Sequence, residues 1–435
     1  MCYAIPGKII EIKGDIAVVD YFGEHRNALN KFLKAKIGEY VYAQGGILID
    51  KLPESEAVEI LKIWQDKFFE LKKTDRRLAK TTTTDSTVYS HPLLELMQKV
   101  NLNKELTKNE LLTLLKAKNR DELNLIYTTA NNIRQKEHDN ACCVHGIIEF
   151  SNYCRNNCLY CGIRKEADLN KVERYRMTEE EIFNAAKYAV KELGFKALVF
   201  QSGEDEWFSE EKLIKLIKEI SKLNILIFIS IGLRPKETYK KLYDAGAKAV
   251  LLRFETSNKR LFEKLRPNTS FDERIQLIKE LKQIGYIVAT GFLIGLPDET
   301  DDDIINNILL TKELKADMYS FGPFIPSENT LLLHHKVVDK NIVLKAIAIS
   351  RFVDRDSNIL VTTALETLDK DARTQGLLAG ANSLMINLTP TKFKKKYMIY
   401  KRRYDAQKPI KEEITETINM LYSLGRAPMD INYED

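Results

Sequence analysis

Ser151–Arg164 reads S-N-Y-C-R-N-N-C-L-Y-C-G-I-R, with Cys154, Cys158 and Cys161 in a C-x3-C-x2-C spacing. Three thiolates leave a tetrahedral metal one ligand short, so a closed zinc site needs a fourth partner nearby. The same three can hold three irons of a 4Fe–4S cluster and leave the fourth iron open to another ligand. The choice between them rests on the scaffold that carries the loop.

From Val144 onward a strand–helix alternation repeats eight times. The expected strands are Gly146–Phe150, Ala197–Gln201, Ile225–Ile231, Ala249–Phe254, Ile287–Leu293, Met318–Phe321, Ile359–Thr363 and Ser383–Ile386. They are near-continuous apolar runs, as expected of strands buried on both faces. Amphipathic helical patterns lie between them, and one more follows at Ile410–Leu424. Eight such units predict an α/β fold, a closed TIM-type (β/α)8 barrel. Functional groups of such barrels gather beyond the C-terminal ends of the strands. There the chain places the cysteine loop, then Gln201, Ser202, Gly203 and Glu204, then Gly232 and Arg234, then Arg253 and Glu255. Gly295-Leu296-Pro297, Gly322-Pro323, Thr362-Thr363 and Asn387-Leu388-Thr389 follow. Polar residues and glycines thus collect on one rim, beside the cysteines.

An open iron on that rim calls for a bidentate nitrogen–oxygen ligand, and the amino and carboxylate groups of S-adenosylmethionine supply one. Glu204 or Ser202 suits its amino group, Arg253 its carboxylate, and Tyr160 can stack on an adenine. One-electron transfer into the sulfonium would then give a 5′-deoxyadenosyl radical, with the barrel supplying orientation.

Residues 1–72 read differently. Lys8–Ile12 and Asp15–Tyr21 flank Lys13-Gly14, and Tyr40–Tyr42 and Ile47–Ile49 flank Gly45-Gly46. Short strands with glycine turns predict a small OB-like β-barrel, followed by a helix over Glu54–Lys72. The polar stretch 73–90, with Thr81–Thr84 in it, reads as a linker. Residues 91–435 then form the second domain, with helices ahead of a barrel core at about 144–390; Thr107-Lys108-Asn109-Glu110 has a capping-box pattern.

The net charge of +5 over 435 residues gives no argument for nucleic acid or a membrane surface. No apolar run is long enough to span a membrane. The N-terminus lacks the pattern of a signal peptide. Six cysteines in a chain of this kind fit a reducing cytoplasm and metal chemistry better than disulfides. Cys142-Cys143-Val144-His145 precedes the first expected strand and reads as buried structural residues on the far side of the barrel. The basic run Lys392–Arg403 reads as a solvated face.

Gly146–Arg164, with Gln201–Asp205, Leu252–Thr256, Lys264–Phe271, Gly291–Pro297, Gly322–Pro326, Thr362–Ala364 and Ala381–Pro390, resembles the radical S-adenosylmethionine (radical SAM) enzymes. More narrowly it is similar to the HydE maturases of FeFe-hydrogenase. The resemblance implies a 4Fe–4S cluster on Cys154, Cys158 and Cys161. It implies S-adenosylmethionine contacts from Tyr160, Gln201, Ser202, Gly203, Glu204, Arg253, Glu255 and Gly291. It implies anion-binding Thr362 and Thr363, and Tyr397 and Tyr400 near the substrate. The implied substrate is a small iron complex bearing CO, cyanide and a cysteine-derived ligand. The implied partners are an electron donor such as ferredoxin or flavodoxin and other hydrogenase maturation proteins. Tyr397 and Tyr400 are three apart and would share a helical face. Met1–Lys8 (M-C-Y-A-I-P-G-K) and Ile37–Ile47 resemble the HypC chaperones of NiFe-hydrogenase assembly, which implies iron carriage on Cys2. Gln44 stands where a histidine is expected in that family. Two other readings remain at this level: a mutase or synthase like methylornithine synthase or biotin synthase, and a non-enzymatic carrier of an iron complex.

Overall fold

The computed structural model describes residues 5–80, 91–167, 172–401 and 403–428. Five strands, β1 (Gly7–Lys13), β2 (Ile16–Tyr21), β3 (Glu24–Leu29), β4 (Tyr40–Gln44) and β5 (Ile47–Leu52), close into a small barrel in the order β1-β2-β3-β5-β4. Ile9, Ala17, Val19, Tyr21, Val41 and Leu48 fill it. The β4–β5 hairpin turns through Gly45 and Gly46, at φ 55° and 78°. Two consecutive positive φ values are what a tight twisted hairpin needs, and glycine takes them without steric cost.

Ten further strands follow: β6 (Ala141–Ser151), β7 (Ala197–Ser202), β8 (Leu226–Ser230), β9 (Ala247–Leu251), β10 (Ile287–Thr290), β11 (Leu293–Ile294), β12 (Met318–Pro323), β13 (Asn358–Val361), β14 (Ser383–Asn387) and β15 (Ala427–Pro428). Parallel pairing runs β6-β7-β8-β9-β10-β12-β13-β14 and returns from β14 to β6. This is the expected eight-stranded parallel barrel. Short β11 and β15 pair with β12 and β6 at the two ends. Side-chain caps start the outer helices: Thr178 and Thr300 in capping boxes, Ser209, Asn258 and Ser270 on the N3 amide. Each cap ends its loop at a set residue. The capping box expected at Thr107 and Glu110 is present too.

Several boundaries depart from the sequence expectation. The first strand starts at Ala141 rather than Gly146 and so takes in Cys142–His145, and the fourth runs Ala247–Leu251 rather than Ala249–Phe254. Three further departures bear on the site and the linker. The strand expected over Ile287–Leu293 breaks after Thr290. The Glu255 amide donates to Gly291 O at 3.0 Å and the Leu293 amide to Glu255 O at 2.9 Å, so the Glu255 backbone takes the gap between β10 and β11. The seventh strand stops at Val361; Thr362 stands at the N-cap position of a short helix, Thr363–Leu368, without a side-chain capping bond. The helix expected to end at Lys72 runs on to Ala79, and takes seven residues from the linker expected at 73–90. Burial explains the extension: Leu71, Asp75 and Ala79 all lie on its covered face. Residues 81–90 lie outside the described residues.

The two barrels share a core. Ile47, Leu29 and Ile49 pack with Ala197, Leu226, Ala289, Ile287 and Met318 inside the lower, N-terminal end of the large barrel. A Cβ on Gly45 would stand 3.0 Å from Leu226 Cδ2 and 3.2 Å from Ile287 Cδ1. Cys142 and Cys143 are buried at this end, the side away from the cysteine loop. The contact is fastened by charge. Asp75 accepts Arg134 Nη1 and Nη2 at 2.9 and 2.7 Å, and Arg426 Nε stands 2.9 Å away. All three are at most 1% exposed. Removing one partner of such a group strands the others in a dry interior. Asp75→Ala is expected to destabilise the protein by about 3–5 kcal/mol, read as a lowered midpoint in thermal unfolding. Asp66→Ala, on an exposed position of the same helix, is expected to leave the midpoint in place.

Candidate active site

The opposite end of the large barrel holds a cavity of about 290 Å³. Cys154, Cys158 and Cys161 line it together with Tyr160, Gln201, Ser202, Gly203, Glu204, Arg253, Glu255, Thr362, Thr363, Tyr397 and Tyr400. The structure therefore brings together fourteen of the sixteen residues singled out in the sequence. Gly291 lies behind the wall: a Cβ there would stand 2.3 Å from Ser320 O, so its part is to let β12 approach. Cys2 lies outside the described residues.

The cysteine loop is clamped from below and behind. Asn152 receives the Tyr175 amide on Oδ1 at 2.8 Å and donates to the Glu173 and Lys396 carbonyls at 2.9 and 2.8 Å. The Arg155 amide reaches Glu204 O at 3.0 Å, the Leu159 amide Leu265 O at 2.8 Å, and the Gly162 amide Ile399 O at 2.8 Å. Gly203 has no room for a side chain: a Cβ would stand 2.1 Å from Tyr153 O and 2.9 Å from Cys154 Cβ. Burial raises the Cys154 and Cys161 thiols above their ordinary range, so a metal must displace their protons on binding. Among the described residues no three His, Cys, Asp or Glu side chains are gathered for a single metal ion. The donor set instead suits a polynuclear cluster whose irons each take one thiolate.

Beside the cysteines the wall is dense in charge. Burial raises Glu204, but Arg274 and Arg266 outweigh it and hold the carboxyl below its ordinary range. Arg274 Nη1 stands at 3.6 Å, Arg266 Nη2 at 3.7 Å and Arg155 Nε at 3.3 Å from its oxygens. Gly232, at φ 72°, makes room: a Cβ would fall 2.0 Å from Glu204 Cγ. Arg266 Nη1 donates to Tyr160 OH at 2.6 Å, which fixes that ring against Leu261, Leu265, Leu296 and Phe324. Arg253 Nη2 stands 3.2 Å from Glu255 Oε2, and Glu255 sits at φ 70°, a strained setting of the sort found at functional sites.

Several polar atoms here are buried without a hydrogen bond: Arg274 Nη1, Arg266 Nε and Thr362 Oγ1. Cations with spare donors beside carboxylates and an aromatic ring suit the carboxylate, amino group and adenine of S-adenosylmethionine. Arg266 and Arg274 were not singled out in the sequence, yet Arg274 left a signal there. It falls at helical spacing with Leu277, Ile278 and Leu281 on the buried face of Phe271–Ile284.

Farther along the cavity Glu149, Arg403, Tyr397 and Tyr400 form the wall. The segment after Thr391–Lys394 is irregular, so Tyr397 and Tyr400 do not share a helical face as expected. The helix that starts after Pro390 lasts one turn, and beyond it the Gly162 amide takes Ile399 O. The basic run is not wholly solvated either. Lys394 is buried against Glu413 at 3.2 Å, and Arg403 against Glu149 and Asp405 at 2.8 and 2.7 Å. Glu149 was legible as a carboxylate inside the apolar strand G-I-I-E-F.

A cysteine loop after the first of eight parallel strands, facing a ring of arginines and carboxylates, defines an enzyme of the radical SAM class. Residues 148–310 match the Radical SAM superfamily and residues 1–64 the HupF/HypC family. The chain is 38% identical over 334 residues to the [FeFe] hydrogenase maturase subunit HydE of Thermotoga maritima, covering 77% of this chain and 95% of that one. It is 32% identical to the 3-methylornithine synthase of Methanosarcina barkeri, over 66% and 81% of the two chains. The crystal structure of methylornithine synthase (PylB) matches with a TM-score of 0.69 at 28% identity, over 77% of this chain and 97% of that one. The chain belongs to the HydE family of radical SAM enzymes and carries a HupF/HypC module ahead of its barrel. That family implies a 4Fe–4S cluster and S-adenosylmethionine.

Gly203→Ala is expected to push the cysteine loop out of place. Iron bound after anaerobic reconstitution should fall several-fold, while the far-ultraviolet circular dichroism stays as in the parent protein.

Proposed function

We propose that this protein is a maturase in the assembly of a hydrogenase iron cofactor. It acts on a small iron complex bearing CO, cyanide and a cysteine-derived ligand. One observation carries the reading: a chain similar to HydE over nearly the whole of that relative also bears a HupF/HypC module. In this reading Cys154, Cys158 and Cys161 hold the 4Fe–4S cluster. Arg253, Arg266 and Arg274 take the carboxylate of S-adenosylmethionine, Glu204 and Glu255 its amino and hydroxyl groups, and Tyr160 its adenine, with Gln201, Ser202 and Gly203 shaping that side. Together the two cofactors supply reductive cleavage of a carbon–sulfur bond and a 5′-deoxyadenosyl radical.

The chain's own residues orient and exclude. Thr362 and Thr363 offer hydroxyls to an anionic group of the substrate, and Tyr397 and Tyr400 close the far wall. The buried ion pairs keep charge in place without water, so no reorganisation is needed during reaction. The electron donor is a ferredoxin or flavodoxin, and the further partners are other maturation proteins, in a reducing cytoplasm. No described helix is long and apolar enough to cross a membrane. The small barrel brings the HupF/HypC module to the same chain, although Gln44, buried in β4, offers no imidazole to iron.

The identity to 3-methylornithine synthase favours a second reading, an amino-acid mutase on the same scaffold. Anaerobic protein, reconstituted with iron and sulfide, is to be incubated with S-adenosylmethionine, a reductant and a cysteine-bound Fe–CO–CN complex. Infrared bands of the complex should change as 5′-deoxyadenosine appears, and Cys154→Ser should abolish both. Product formation from lysine, with the iron complex untouched, would favour the mutase. Hydrogenase activation undiminished in Cys154→Ser would mean a carrier without radical chemistry.

A further inference from the structure

The wall that holds Tyr397 and Tyr400 is not neutral. Arg403 faces two carboxylates: Nη1 donates to Glu149 Oε1 at 2.8 Å, and Nη2 and Nε to Asp405 Oδ2 and Oδ1 at 2.7 and 3.1 Å. Asn387 Nδ2 bridges the pair, at 3.0 Å from Glu149 Oε2 and 2.8 Å from Asp405 Oδ2. Glu149 and Asp405 are each 1% exposed and Arg403 7%. The next shell is balanced, with Lys394 on Glu413 at 3.2 Å and Arg373 on Glu366 at 2.6 Å. Among the described residues the Glu149–Arg403–Asp405 group therefore carries one negative charge too many. Asp405 takes Arg403 through two nitrogens and Glu149 through one, so the surplus falls on Glu149, the carboxylate that lines the cavity. A buried charge calls for a counter-charge or a proton. Gln201, Tyr397, Tyr400 and the Tyr175 hydroxyl, which donates to Glu149 O at 2.7 Å, surround it and are neutral.

We propose that the Glu149 end of the cavity is a subsite for the amino group of an amino-acid-derived substrate, which supplies the positive charge that this wall lacks. The inference rests on the reading that the substrate carries such a ligand. It adds where the amino group sits and what recognises it. With the subsite empty, burial and Asp405 outweigh Arg403 and push Glu149 up to about 7, so below neutrality it holds a proton. An incoming ammonium displaces that proton into solvent. The preference for an amine should accordingly grow as pH rises through 7, as Glu149 becomes charged.

The test uses the reconstituted full-length protein with S-adenosylmethionine bound and no reductant. The probes are S-methyl-L-cysteine and its desamino analogue 3-(methylthio)propionate, titrated calorimetrically in two buffers of different ionisation enthalpy at pH 6 and 7.5. The amine is expected to bind roughly tenfold or more tightly, as one charge-assisted hydrogen bond supplies. The margin should be wider at pH 7.5, and protons should be released at pH 6. Glu149→Gln should erase the margin and the proton release together. Equal affinity of the two probes, binding of neither, or a margin that does not grow with pH overturns the proposal. If Glu149→Gln fails to fold, the parent protein's pH series decides alone. Cleavage of S-adenosylmethionine and conversion of the iron complex are followed separately, so a failed subsite leaves the maturase reading standing, and a failed maturase reading leaves the amine margin measurable.

Discussion

The arrangement depends on eight strands running the same way around a closed wall. Closure pairs each strand with two neighbours, β14 with β6 and β10 with β12 included, so the barrel has no open edge to protect. All C-terminal ends then face one side, and every loop that follows a strand must emerge there. The cysteine loop, Glu204, Arg253 with Glu255, and Thr362 come from four different strand ends and still share one cavity. Loops can be irregular and strained because the wall beneath them is not.

What fills that mouth is mostly charge, and burial sets how it is arranged. Near the cysteines three arginines surround Glu204, so cations exceed what that carboxylate needs and donors are left over. At the far end two carboxylates share Arg403, and acceptors are left over. A ligand with a carboxylate and an adenine suits the first place, and a group with a positive nitrogen suits the second. The cavity is thus polarised along its length by fixed side chains, which when buried act more strongly than they would in water.

The small barrel is a structural part of the large one. Its β4–β5 hairpin and Leu29 complete the apolar core at the lower end, and Asp75 ties its helix to Arg134 and Arg426. The chain has spent a buried ion-pair network on this junction, which breaks sharply if one member is lost. The module is fastened at the end opposite the cavity. It is not positioned to swing over the active-site mouth.

Local pattern determined much of this. Near-continuous apolar runs marked all eight strands of the large barrel, short strands with glycine turns marked the small one, helical periodicity marked the helices, and the S/T-x-x-E spacing marked the capping box at Thr107, because those signals are written in neighbouring residues. The C-x3-C-x2-C loop and its place after the first strand pointed to a cluster for the same reason. Tertiary structure decided what depends on residues distant in sequence. Asp75 kept the helix going through a stretch that reads as linker, because its partners are Arg134 and Arg426. Glu255 broke the fifth strand through backbone bonds to Gly291 and Leu293. Arg403, inside a run of lysines that reads as solvated, was drawn inward by Glu149, 254 positions away. Charge pairing across the fold has no sequence period, so only the folded chain shows which carboxylate is left with charge to spare.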